Sequence, residues 1–390
     1  MKTQMKKLIL ITFLLIGLLL AGLGVFVYLP TIIQGLDFSG ADFRRYQLAE
    51  EKHGDGPSWI QTAELMLPEE TRGYIIVVPD RDYDKDWNSP GNQTRPGLRF
   101  ARRLVENNLA VVRYSPPGSG DESIDLTDPE KSVRAFLDVV QALQSTMEKE
   151  DLPRAPISIL SVGEGCLVSV MALQEPEAFR TVQPDRLILA NCAYSGTPLK
   201  EWAGRVFYNM ELTGASSDML EESGRTWKRH REKIEAGEIP EMDEEAWEER
   251  LENLKEQKLH SDILALEKTI SHLYRPSNRD WTRAAAHIDF PASLRSLIES
   301  RPGLDIIHVL SEYDEEIHPE DARDQENFVR SSDFSNYSLK VLERTDHGFV
   351  LRDSPPASPV ENMMRRRDPF VEFSPELMRI LAGEENGPVP

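Results

Sequence analysis

The feature that most restricts the fold is a rhythm. Short apolar runs alternate with segments whose apolar residues recur at helical spacing. Gly73–Val78 reads Gly-Tyr-Ile-Ile-Val-Val, Leu109–Tyr114 reads Leu-Ala-Val-Val-Arg-Tyr, and Ile157–Val162 and Arg186–Ala190 are built alike. Such short continuous runs fit strands covered on both faces. Between them, 96–108, 129–150 and 165–173 read as helices. In 129–150 the residues Ala135, Phe136, Val139, Val140 and Leu143 share one face, with Asp128 placed to cap and Pro129 at the first helical position. Strands alternating with helices imply an α/β class fold, a mainly parallel sheet with helices on both faces.

The rhythm stops at about 197. From there to 298 the chain is helical and highly charged, and Glu241–Lys258 is its densest part. Alternation resumes with the strand Asp305–Leu310, the helix Pro319–Arg330, the strand Tyr337–Leu342 and the helix Pro375–Ala382. A helical insertion inside such a sheet reads as a cap over the strand ends. The bland alternative is a helical docking arm for a partner. Trp202, Trp227, Trp247 and Trp281 all fall in this insertion and read as packing residues rather than a ligand box.

The N-terminus stands apart. Leu8–Tyr28 is a run of 21 residues without a charge, long enough to span ~32 Å as a helix. Lys2, Lys6 and Lys7 precede it, so the expected topology has a cytoplasmic N-terminus and an extra-cytoplasmic main domain. The run exceeds a cleavable signal core and has no good cleavage site. The expected plan is an anchor over 1–34, a linker over 35–56, core over 57–196, cap over 197–298, and core plus tail over 299–390.

Composition closes several routes. Asp and Glu outnumber Lys and Arg 66 to 45, for a net charge of −21, which gives no basis for nucleic-acid binding. Two cysteines, Cys166 and Cys192, make neither a disulfide framework nor a four-cysteine zinc site. They read as two small buried thiols, with a disulfide between them as the alternative. No His-x-x-x-His or His-Glu-x-x-His pair occurs among the eight histidines, so no metal and no cofactor are expected.

Three strand ends carry the chemistry. Leu109–Tyr114 runs into Ser-Pro-Pro-Gly-Ser-Gly-Asp121. Asp314 follows a strand in Val309-Leu-Ser-Glu-Tyr-Asp. His347 follows the last strand in Thr345-Asp-His-Gly-Phe, 33 residues after Asp314. Together with an insertion between the sixth and seventh strands, this pattern resembles the α/β-hydrolase superfamily of serine esterases, lipases and aminopeptidases. The resemblance implies a serine on a tight strand-to-helix turn, usually G-x-S-x-G, with Asp314 as triad acid and His347 as triad base. Here the turn reads Ser161-Val-Gly-Glu-Gly165, so the nucleophile position falls on Gly163. Ser161 as an alternative nucleophile would put Ile159 in a slot that needs a small residue. The resemblance places the oxyanion hole at Glu164 and in the loop around Asp80, where Pro79 lacks an N–H. Glycine cannot form an acyl intermediate. The reading is therefore a membrane-anchored, catalytically impaired member of this fold that binds a small or lipid-like ligand under the cap, or a protein partner through the cap helices. Two alternatives stay open: an active hydrolase using the His347–Asp314 pair with water or a displaced serine such as Ser115 or Ser119, and a structural member of an envelope complex.

Overall fold

The computed structural model describes residues 43–50, 62–80, 83–87, 95–117, 128–175, 179, 183–192, 196–256, 261–317, 319–331, 334–355 and 372–384. Its centre is an eight-stranded sheet in the order β1-β2-β4-β3-β5-β6-β7-β8. The strands are β1 Phe43–Glu50, β2 Thr62–Pro68, β3 Gly73–Val78, β4 Leu109–Tyr114, β5 Ile157–Val162, β6 Arg186–Ala190, β7 Asp305–Tyr313 and β8 Tyr337–Asp346. β1 pairs antiparallel with β2, and β2 antiparallel with β4; all other pairs are parallel.

Successive residues of each central strand point to opposite faces. On one face Tyr74, Ile76, Val112 and Ile159 pack against α2 (Pro129–Lys149) and α3 (Gly165–Leu173). On the other, Ile75, Val77, Val111 and Leu160 pack against α1 (Pro96–Glu106) and the C-terminal helix Pro375–Ala382. The cap signal on α2 is met: the Asp128 carboxylate accepts from the Glu130 N–H at 3.0 Å. Between β6 and β7 lie α4 (Pro198–Leu212), α5 (Ser217–Glu235), α6 (Glu244–Glu256), α7 (Ser261–His272) and α8 (Arg279–Ala285). They close their own apolar core around Trp227, Ile270, Leu273 and Trp281.

Four expectations are corrected. The fold class expected from sequence included an N-terminal transmembrane helix. Among the described residues no helix is long and apolar enough to cross a membrane. The Leu8–Tyr28 run lies outside the described residues. The stretch expected to be linker contains β1, an edge strand whose Phe43, Tyr46 and Leu48 pack inward while Arg44, Arg45 and Gln47 face solvent. The insertion ends earlier than 298: α9 (Phe290–Ser300) packs Phe290, Leu294, Leu297 and Ile298 into the sheet core. Finally, Cys166 and Cys192 are bridged, with Cα atoms 6.3 Å apart. The parallel pairing of β5 with β6 brings the helix after one strand beside the end of the other.

Candidate functional site

The site lies at the carboxyl ends of the parallel strands, where open α/β sheets gather function. β5 ends at Val162, the chain turns at Gly163 with φ +55°, and α3 begins at Gly165. That left-handed turn suits glycine, which has no Cβ to clash. Gly165 also needs to be small, because a Cβ there would overlap the Val78 carbonyl and stand 2.7 Å from the Pro79 carbonyl. So the sharp strand-turn-helix exists, with Gly163 at its apex.

Asp314 follows β7 and His347 follows β8. Their side chains meet: His347 Nδ1 lies 2.9 Å from Asp314 Oδ2 and 3.0 Å from Oδ1. The acid is held by its own loop, since Asp314 Oδ1 accepts from the N–H groups of Glu316 and Ile317 at 2.8 and 2.9 Å. Strand order, left-handed turn, acid after β7 and histidine after β8 together decide the fold. It is an α/β-hydrolase fold.

Beside Gly163, where the resemblance would place a nucleophile, stands a carboxylate. A Cβ built on Gly163 would meet the Asp80 carboxylate oxygens at 2.5 and 2.7 Å. Asp80, just past β3, therefore fills the space a nucleophile side chain would occupy. Asp80 Oδ1 accepts from the Glu164 N–H at 2.8 Å, so the backbone donor that the resemblance assigns to an oxyanion is engaged by a resident anion. Asp80 Oδ2 accepts from Arg205 Nη1 at 3.1 Å. Arg205, on α4, also stands 3.4 Å from Glu316 Oε2 and donates to Glu201 Oε1 at 2.9 Å. The Glu164 side chain turns away to α8, accepting from the Trp281 indole N–H at 3.0 Å.

The charges around the imidazole favour its protonated form. Burial alone pulls the His347 pKa down, but the carboxylates of Asp314 and Glu316 outweigh it and push it up to about 9. Burial likewise raises Asp314, yet the facing imidazolium and the two loop N–H groups bring its pKa below the usual carboxylate range. His347 is 3% exposed, and its Nε2 is buried with no hydrogen-bond partner. Glu316 Oε2 stands 3.4 Å away, near enough for an ion pair but outside hydrogen-bond geometry.

No serine answers that nitrogen among the described residues. Ser161 lies buried behind the turn, donating to Ser169 Oγ at 2.6 Å. The Ser115 hydroxyl accepts from the Lys85 N–H and sits 3.2 Å from Thr62 Oγ1. Ser119 is outside the described residues. Three contributors escaped the sequence reading: Arg205, Glu316 and Asn191. Asn191 (φ +50°) donates to the His347 carbonyl at 2.8 Å and to Ser311 Oγ at 3.0 Å, tying the histidine loop to the ends of β6 and β7. An asparagine directly after a strand was the available signal, since it tolerates the left-handed region. Nothing local marks Arg205 or Glu316.

The open space at the site is small. A cavity of about 70 Å³ adjoins Asp80 and His347 and is walled by Tyr83, Trp87, Val162 and Phe349. Between Gly163 and the start of α4 only about 10 Å³ is free. Asp80, Glu316 and His347 each offer one donor atom within 4.8 Å of the others.

No protein-family model matches the chain, and no curated protein matches it. Among solved structures, an esterase from Pyrococcus furiosus is 10% identical, covering 84% of this chain and 92% of its own, with a TM-score of 0.42. Esterase B from Lactobacillus Rhamnosis is 10% identical over 90% of this chain and 88% of its own, with a TM-score of 0.42. An α/β hydrolase from Penicillium sp. is 14% identical over 84% and 96%, with a TM-score of 0.39. At these scores the likeness adds no argument, and the fold assignment rests on strand order and the loops above.

Proposed function

We propose that this α/β-hydrolase-fold protein does not perform serine acyl transfer and instead binds a small ligand in the cavity beside Asp80 and His347. The observation that carries the reading is the Asp80 carboxylate in the space of the missing nucleophile side chain, hydrogen-bonded to the Glu164 N–H. An acyl-enzyme needs a nucleophile and a free oxyanion donor, and here both positions belong to one buried aspartate. Activation of water by His347 is also disfavoured. A base must be unprotonated to accept a proton, and a pKa of about 9 keeps the ring charged at neutral pH. The cavity of about 70 Å³ holds on the order of five waters or a small molecule, between aromatic walls and a charged end.

Two measurements test this. The purified full-length chain is treated with a serine-directed fluorophosphonate probe and a panel of short acyl esters. The expected result is neither labelling nor turnover; labelling abolished by substituting one serine overturns the reading. In a small-molecule screen read by melting temperature, a ligand is expected to lose its effect in Tyr83→Ala, which opens the cavity wall. A shift that persists in the variant overturns the cavity assignment.

A further inference from the structure

We propose that Asp80, Glu316 and His347 form a divalent-cation site whose present occupant is the Arg205 guanidinium. The inference rests on the reading that the turn at Gly163 bears no serine nucleophile, because it is the vacated space that lets the Asp80 carboxylate join the histidine.

Three observations support it. First, the donor set is that of a transition-metal site. Two carboxylates and one imidazole, whose Nε2 proton an incoming ion displaces to solvent, each place a donor atom within 4.8 Å of the others. Around an ion at roughly 2.0–2.2 Å the donors would stand somewhat closer, so a modest contraction completes the site. Mixed nitrogen and oxygen donors suit zinc or manganese rather than calcium. Second, His347 Nε2 is a buried nitrogen without a hydrogen-bond partner, whereas Nδ1 is fixed by Asp314 at 2.9 Å. A carboxylate holding one ring nitrogen so that the other faces an ion is the usual outer arrangement of a metal-bound histidine. Third, the electrostatics ask for a cation. The carboxylates of Asp80, Glu201 and Glu316 converge on Arg205, and those of Asp314 and Glu315 on His347.

Arg205 meets that demand with a long side chain from the cap. Its Nη1 lies 3.1 Å from Asp80 Oδ2 and 3.4 Å from Glu316 Oε2, the two carboxylates that an ion would use. Glu201, one turn earlier on α4, receives the other terminal nitrogen at 2.9 Å. Arg205 therefore keeps an ionic partner on its own helix when it releases the other two. The site is a place where a cap side chain and a diffusible ion compete for the same two carboxylates.

The full-length chain, stripped with a chelator, is titrated with Co²⁺ followed by visible absorption and with Zn²⁺ followed by calorimetry. One equivalent is expected to bind. Arg205→Ala should bind at least tenfold more tightly, because the competing cation is gone. His347→Gln and Glu316→Gln should each weaken binding at least tenfold. Folding of every variant is checked by circular dichroism, and the gain expected in Arg205→Ala does not depend on the weakened variants folding. No one-to-one binding to folded wild type and folded Arg205→Ala overturns the proposal, as does binding unchanged in both Gln variants. Fluorophosphonate labelling would remove the underlying reading without altering this titration, so the two failures are told apart.

Discussion

Adding a single methyl group at the turn tests the proposed placement of the Asp80 carboxylate directly. In Gly163→Ala the new Cβ falls 2.5 and 2.7 Å from the Asp80 oxygens, so the carboxylate must retreat by roughly 1 Å to reach ordinary contact. It then loses its bond from the Glu164 N–H and strains its pair with Arg205. The left-handed conformation costs a non-glycine residue about 1–2 kcal/mol. Loss of a hydrogen bond to a charged group adds about 1.5–3 kcal/mol. The single variant should therefore lose about 2.5–5 kcal/mol. In an Asp80→Ala background the clash is absent and only the conformational cost of about 1–2 kcal/mol remains. The cycle should thus show a coupling of about 1.5–3 kcal/mol between positions 80 and 163, well above the scatter of independent sites. Urea unfolding of the four proteins by circular dichroism, compared at a shared slope, measures it. A coupling below about 0.5 kcal/mol would refute the claim that the Asp80 carboxylate fills the nucleophile space.

Two further outcomes follow from the same structure. The His347 pKa is raised from 6.5 to about 9 on folding. Its contribution to stability is therefore complete below about pH 6.5 and is lost as pH rises through about 9, an effect of order 3 kcal/mol. His347→Gln should flatten the fall in unfolding midpoint across that window; an unchanged slope would assign the titration elsewhere. The Cys166–Cys192 bridge closes a loop with a sequence separation of 26, worth about 3 kcal/mol of unfolded-state entropy. A reductant should lower the urea midpoint of wild type but not of the Cys166→Ala, Cys192→Ala double variant, and equal responses would contradict the bridge.

The parallel part of the sheet was legible because its strands are buried on both faces and read as unbroken apolar runs. β1 was not, since Arg44, Arg45 and Gln47 face solvent at the sheet edge and give the segment a polar look. β2 hides for another reason: Glu64 interrupts it, yet is buried because Arg113 of β4 donates to its carboxylate. At the site, Gly163, Asp314 and His347 are recognisable by position. Asp80 was singled out for its backbone, as an oxyanion-loop residue, when the part that matters is its side chain. Arg205 and Glu316 were invisible, because the charge network is assembled from loops after β3, β7 and β8 and from a helix of the insertion. Only the fold brings those segments together.

The buried charges have a consequence for how such chains are read. Asp80, Arg205, Glu316, His347 and Asp314 form one contiguous set of ion pairs. Removing any member strands its partners in a poorly solvated setting, at a cost of about 3–5 kcal/mol when a buried pair is broken. Selection for mere foldability would then preserve the histidine and its acid whether or not the site turns over a substrate. An intact His–Asp pair beside a glycine at this turn is thus accounted for by structural debt between charges, with no appeal to catalysis.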